Sequence, residues 1–498
     1  MPLSGRGNPH RIALREILAR SAKTPLRGWH GAAIALHELM KRVVVAGAGI
    51  SGLSLAFELE RLGVSVRVLE SEQRAGGKIE TDRCGGYICE RGPASYLDRQ
   101  NSIMPLARSL GIAGRVLPAS AAGERRLVVA DGRLHDTPLD AAAFFRSRLL
   151  PKSAKLRMLA DLLLPRGPSA RGQEESVTAF ASRRLGALAG ERLLQPLVSG
   201  LYAGDADVVS LPAAFPLMAT LEREHRSLVM GMRADLKQQR AQRRAGSDAP
   251  RLSSFVTGLD ELTTALASRL GDRLRLGARI VQVERAENGF RLTVEENGSS
   301  STLDTDALAL AIPAHQACAV VRPLDSDLSE ILARILYVPV ALVHLGYLAS
   351  ALPGPVDAYG FFVPVSERLK ILGAIFASSI FPDRAPARFA LFSVRTGGAR
   401  HPETASLPDQ ELTALAHAEL RGLLGLTAPP AFAHIARHQR GLPQYTLGHI
   451  DRVAALGAGE RRYPGLYFHG NAYHNAGVPE LVSRSSKLAR RMVEELAR

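Results

Sequence analysis

Gly47, Gly49 and Gly52 are the residues whose type and spacing point most directly to chemistry, in the run Gly47-Ala-Gly49-Ile50-Ser51-Gly52. A glycine in the first position allows a tight turn. In the second it lets backbone come close to a pyrophosphate, and in the third it lets a helix lie close on a strand. A helix opening at Ile50 and Ser51 presents free N–H groups and partial positive charge to an anion. Glu70 has the chemistry to accept from ribose hydroxyls. This is the equipment of a dinucleotide site.

The spacing alone is a weak signal, so the flanking elements decide. Val43, Val44 and Val45 are β-branched and read as a buried strand before the turn. After it, Leu53, Leu55, Ala56, Leu59 and Leu62 make an apolar face at helical spacing, and Gly63 is a natural stop. Val64-Ser-Val-Arg-Val-Leu69 alternates as a second strand that ends on Glu70. Strand, glycine turn, helix, strand and terminal acid is the order that dinucleotide binding requires.

A chain of 498 residues exceeds one core and implies two or three domains. The net charge of +15 fits nucleic acid, an acidic membrane surface, an anionic substrate or an Arg-rich solvated surface. No nucleic-acid module is visible, so nucleic acid is not expected as a partner. Cys84, Cys89 and Cys318 have neither disulfide nor metal spacing, which points to a reducing compartment and no metal. No run has the length of a spanning helix. Residues 1–39 are basic and poor in acids. They read as a dispensable tail or as sequence upstream of a start at Met40, although a transit peptide would look similar.

Downstream, Arg74-Ala-Gly76-Gly77-Lys78 and Glu90-Arg91-Gly92-Pro93 repeat the theme of glycine where backbone must pass a large ligand. With these segments the chain resembles the FAD-dependent amine oxidase superfamily. The resemblance implies that Arg74, Gly76, Gly77, Lys78, Gly92 and Pro93 join the cofactor site. It implies that Val281 or Val283 gives backbone contacts to adenine. It also brings in Gly470, Asn471, Gly477, Val478 and Pro479, where a strand ends and a new helix aims its N-terminus at the flavin. Here the chain departs from the family pattern, with His474-Asn475-Ala476-Gly477 before Pro479. His315 reads as a loop residue, and 453–459 as a loop with no second nucleotide site.

Gly200-Leu-Tyr-Ala-Gly204-Asp205, Ser210-Leu-Pro-Ala-Ala-Phe-Pro216, Leu221-Glu-Arg-Glu-His-Arg-Ser-Leu228 and Pro443-Gln-Tyr-Thr-Leu-Gly-His449 narrow the likeness to the oxygen-dependent protoporphyrinogen oxidase family. It covers roughly 41–498. The expected fold class is α/β: a Rossmann-type FAD domain built from discontinuous segments, a β-rich substrate domain and a helical insertion. The boundaries we expect are a 1–39 extension; FAD-binding parts at 40–110, 251–325 and 460–498; substrate-domain parts at 111–140 and 326–450; and a helical domain at 141–240. Residues 237–251 read as a mobile Arg-rich loop. Residues 141–166 mix apolar and basic side chains. They read as an ordinary helix pair, with a surface lying on anionic lipid as the alternative.

The likeness implies FAD as cofactor, oxygen as acceptor with peroxide as product, and repeated hydride removal from a reduced tetrapyrrole. Tyr359, Gly360 and Phe362 fall where the family sandwiches the macrocycle, against the plainer reading of core aromatics. Arg395 replaces a usually apolar residue and would pair with a propionate, or else escape to the surface. No residue is assigned as a catalytic acid or base. Protoporphyrinogen IX is the expected substrate. Coproporphyrinogen III, another flavin amine oxidase or desaturase chemistry, and a flavin-bound porphyrin carrier are the alternatives. A cytoplasmic location is expected, or a peripheral one on the inner face of the cell membrane, with a ferrochelatase as a downstream partner.

Overall fold

The computed structural model describes residues 41–138, 141–244, 250–474 and 477–497, apart from the side chains of 141, 142, 236 and 238–244. The 1–39 tail lies outside them, as do Asn475 and Ala476 of the departing segment.

Three consecutive valines do form the buried strand Arg42–Ala46, at the centre of a five-stranded sheet. Ser65–Leu69 and Ala307–Leu310 flank it in parallel register, and Leu274–Arg275 and Leu466–Phe468 close the edges. Parallel strands buried on both faces need apolar cover on each side. On one side lie the helices Ile50–Arg61, Asp260–Leu270 and Val478–Leu496, whose Leu53, Leu59, Leu266, Leu481 and Met492 share one core with Val43 and Val45. On the other lie the antiparallel strands Ala278–Ala286, Gly289–Glu296 and Ser299–Thr305 and the helix Ala314–Val321. The nucleotide layer is therefore assembled from three distant stretches of chain. The α/β fold is the one expected.

A seven-stranded sheet forms the second layer, in the order Phe432–Pro443, Tyr337–Leu348, Phe389–Gly397, Ile371–Phe376, Gly360–Phe362, Arg126–Ala130, Arg133–Asp136. Side chains alternate between its faces. Phe361, Ala374, Phe392 and Val394 point one way, into a core closed by the helix Asp409–Leu424. Gly360, Phe362, Gly373, Ser393 and Arg395 lie on the opposite face. That face meets the helical layer at one end, through Val128 and Ala130, and the hairpin Thr81–Glu90 at the other, through Leu391. The helical layer is held by an enclosed ion network. Arg184, fully buried, lies 3.1 Å from Asp161 and 2.7 Å from Glu222.

Four local readings are corrected. Residues 237–244 continue the helix Leu228–Arg244 instead of forming a loop; Lys, Gln and Arg are good helix formers, and their charge misled. Residues 453–459 lie in the helix His449–Arg462. Gly459 is tolerated there because Leu328 fills its place: a Cβ would sit 2.4 Å from that side chain. His315 lies in the first turn of the helix Ala314–Val321, not in a loop. Ala377–Ile380 is a helical turn within a stretch read as β-rich.

Candidate functional site

The glycine turn divides its labour as the spacing suggested. Gly47 has φ +97°, and a Cβ there would meet the Ala311 carbonyl at 2.8 Å. Gly52 packs so closely that a Cβ would lie 1.9 Å from the Gly47 carbonyl oxygen. Gly49 is different: it sits at the N-cap of the helix, and a Cβ would meet nothing within 4 Å. The open side of the turn is therefore at Gly49, with the first helical N–H groups at Ile50 and Ser51. The second glycine pair closes over it. Gly76 N–H donates to the Ala48 carbonyl at 2.8 Å, and a Cβ on Gly77 would sit 3.2 Å from the Gly49 Cα. Gly92 is packed on the Lys78 carbonyl, with Pro93 half-buried beside it.

Glu70 is buried, and its carboxylate accepts from Ala48 N–H at 2.6 Å and Glu72 N–H at 2.9 Å. It braces the glycine turn from below. Arg74 is exposed and committed to Glu80 at 2.7 Å and to the Gly77 carbonyl at 2.6 Å, so it stiffens the loop. Lys78 has no ion pair among the described residues. Its ammonium lies 5.4 Å from the Tyr337 ring, and burial pulls its pKa down to about 8. A buried cation without an anion is costly, and a bound pyrophosphate would supply one.

Past Glu70 a cavity of about 400 Å³ opens, lined by Leu69, Ser71, Arg279, Val281, Ile312 and His315 among others. A bulge in the strand Ala278–Ala286 leaves Val281 opposite no partner, so its backbone groups lie outside the ladder. Val283 pairs with Leu292 and is buried in the core. Of the two candidates, only Val281 lines the cavity. The cavity, the free backbone at Val281, the open glycine and the unpaired lysine fit FAD.

At the other end Gly470 has φ +139°, and Gly477 caps the helix Val478–Leu496. The side chains of Val478 and Pro479 are buried, so only backbone is available there. The Tyr445 hydroxyl donates to the backbone carbonyls of Asn471 and His474, which ties this loop to the substrate layer. Burial keeps His449 and His474 near pKa 4 and His469 near 3, so all three are neutral at pH 7.

On the substrate face Gly360 has φ +146°, and a Cβ would strike the Ala374 carbonyl at 2.0 Å. Gly373 beside it has φ +150°. The two leave bare backbone between Tyr359 and Phe362. The Phe362 ring lies against Gly200, where a Cβ would come within 2.2 Å of it. Arg395 donates to the Gly200 carbonyl and pairs with no carboxylate among the described residues. Its side chain is half-accessible to water yet enclosed by protein, and desolvation holds its pKa below the usual arginine range. The bond to Gly200, on a helix of the neighbouring layer, holds the side chain between the two layers instead of at the surface. Gly200, His315 and Tyr445 belong to the site but were not singled out as site residues. Gly200 and Tyr445 lie in motifs that carried a signal, while His315 had none.

The family model for flavin containing amine oxidoreductase matches residues 50–489. The chain belongs to that family. As a member it is an FAD-dependent oxidoreductase. Coproporphyrinogen III oxidase of Bacillus subtilis (strain 168) is 29% identical over 462 residues, covering 89% of this chain and 96% of the relative. The chloroplastic protoporphyrinogen oxidase of Oryza sativa subsp. japonica is 32% identical, covering 87% and 84%. A solved structure from Exiguobacterium sp. 255-15, provisionally named protoporphyrinogen oxidase, superposes with a TM-score of 0.76 at 26% identity, covering 92% and 99%. Among the described residues no helix is long and apolar enough to cross a membrane, and no cluster of three or more ligating side chains could hold a metal.

Proposed function

We propose that this flavoenzyme oxidises a porphyrinogen to a porphyrin, with protoporphyrinogen IX as substrate and oxygen as acceptor. The observation that carries the reading is Arg395: an enclosed guanidinium with no carboxylate, beside the bare glycine floor flanked by Tyr359 and Phe362. An apolar disc with acidic side chains fits such a face, and the porphyrinogen names of the relatives above support it.

FAD, when bound, accepts a hydride from a bridging carbon of the macrocycle. The chain's own task is position. The aromatic side chains hold the disc, Arg395 sets its rotation through a charge-assisted fork, and the surrounding protein excludes water. Each step removes one hydride from a bridging carbon and one proton; over three steps two of the protons leave pyrrole nitrogens and the third leaves the remaining bridging carbon by tautomerisation. Three steps give the aromatic ring, and three oxygen molecules become three of hydrogen peroxide. Aromatisation drives the chemistry, so no strong base is required. The planar product suits an enzyme that inserts a metal, such as a ferrochelatase.

The test is direct. Purified protein should be yellow, bleach with protoporphyrinogen in the absence of oxygen and release peroxide when oxygen is admitted; no turnover with this substrate or with coproporphyrinogen III would sink the reading. Arg395→Met should raise KM about ten-fold with a smaller change in kcat, since a bond of this class contributes about 1.5–3 kcal/mol.

The same enzyme rests on anionic lipid in this reading. The structure divides residues 141–166: Leu149 and Leu150 are buried, and the Lys155 ammonium turns inward to the Phe145 and Ser147 carbonyls. Phe145, Leu156 and Leu163 remain exposed beside Arg146, Arg148, Lys152 and Arg157. Flotation with anionic vesicles should carry the protein, and Leu156→Ser with Leu163→Ser should cut binding about ten-fold or more. Equal flotation of wild type and variant would remove this face from consideration.

A further inference from the structure

We infer that Arg126 is a second carboxylate anchor, which with Arg395 grips two acidic side chains of one macrocycle; this rests on the porphyrinogen reading above. The strand registers place both on one face. Arg395 stands opposite Gly373, which stands opposite Phe362. Ser393, Ile375, Gly360 and Arg126 form the neighbouring rung. Residues directly across a sheet share a face, so the two arginines bracket the glycine floor from opposite sides. Their backbones lie three strands apart, roughly 14 Å at the usual strand spacing.

The Arg126 guanidinium lies 5.3 Å from the Tyr359 ring. The neighbouring Arg125 is fully used: it pairs with Asp136 at 2.6 Å and donates to the Asp357 carbonyl. Arg126 is half-buried and has neither an ion pair nor a side-chain hydrogen bond among the described residues. A ring face steers a guanidinium but leaves its N–H donors without acceptors. Two guanidiniums without a carboxylate partner among the described residues, fixed on either side of a side-chain-free floor, match a flat ligand whose rim carries carboxylates. Arginine suits this task because its planar fork meets a carboxylate in two bonds at once. A ligand with a single acid would leave one fork empty.

The experiment compares a porphyrin diacid with its dimethyl ester, binding to the flavin-loaded protein and read by fluorescence quenching. Wild type should prefer the diacid. Arg126→Met should lose about ten-fold in affinity for the diacid and none for the diester. Arg126→Lys, which keeps the charge but not the fork, should fall between. In turnover, KM should rise while kcat changes less. Diester binding also serves as the folding control, and the lysine variant covers a methionine variant that fails it. An unchanged preference for diacid in either folded variant overturns the anchor and leaves the porphyrinogen reading standing. A wild type that binds neither ligand overturns both.

Discussion

Gly49→Val is expected to fold and purify colourless, whereas Gly52→Ala is expected to be strongly destabilised. The two positions lie three residues apart in one turn. At Gly49, φ is −73° and a Cβ meets nothing within 4 Å, so the protein itself has room for a side chain. The room is the space a pyrophosphate would take. Valine at a helix N-cap costs about 1 kcal/mol, which a folded domain tolerates. At Gly52 even alanine drives a Cβ to 1.9 Å from the Gly47 carbonyl oxygen, which is backbone with nowhere to move. The helix must lift from the sheet and open the core around Leu53 and Val45. Overpacking of this sort costs about 3 kcal/mol or more. Visible flavin absorbance and thermal melts with and without added FAD separate the cases. Gly49→Val should melt cooperatively and ignore FAD. Stoichiometric flavin in that variant would move the pyrophosphate elsewhere.

Acid should unfold this protein early, with a midpoint about pH 5–6. His344, His449, His469 and His474 are held neutral by burial, with pKa values of about 4, 4, 3 and 4. In the unfolded chain each titrates near 6.5. The folded values are lower, so each contribution is fully present above pH 6.5 and is lost as pH falls toward 4. Each histidine then costs about 1.4 kcal/mol per pH unit. Glu90 works in the opposite sense: burial raises its pKa to about 7, so it favours the fold at low pH and loses that contribution as pH rises toward 7. These four groups against Glu90 leave a net loss of about 4 kcal/mol per unit, against a total stability of about 5–15 kcal/mol, and His315, which burial also holds near 4, acts in the same sense. Melting temperatures measured in steps from pH 8 to 5 check this. A flat profile would mean that these histidines take up protons without unfolding.

The glycine turn and its helix were legible because the G-x-G-x-x-G spacing and the apolar pattern on either side of it are local in sequence. Gly360 entered only through the family likeness, since the carbonyl that excludes a side chain there belongs to Ala374 on the next strand. What was not legible depended on partners far along the chain. Nothing around His315 says that its helix borders a cavity. Nothing at Val281 announces a bulge, and only the pairing with Val294 and Thr293 separates it from Val283. The charge of 237–244 pointed to solvent, but charge does not distinguish helix from loop. Arg395 was left between pocket and surface by its own strand, and Gly200, on a helix of another layer, decides for the interior.

The five-stranded sheet has a consequence for how the protein is made. Its first strand, Arg42–Ala46, leaves the ribosome early, while its edge strand, Leu466–Phe468, and the covering helix, Val478–Leu496, come last. At bacterial or eukaryotic translation speeds the gap is on the order of 20–80 s. Throughout that interval the first βαβ unit lacks the cover that Leu481, Val482 and Met492 of the last helix give it. Even the serine stitch that joins first helix to last, Ser54 to Ser485 at 2.8 Å, cannot form. The nucleotide layer is therefore complete only when the last residues of the chain have been made.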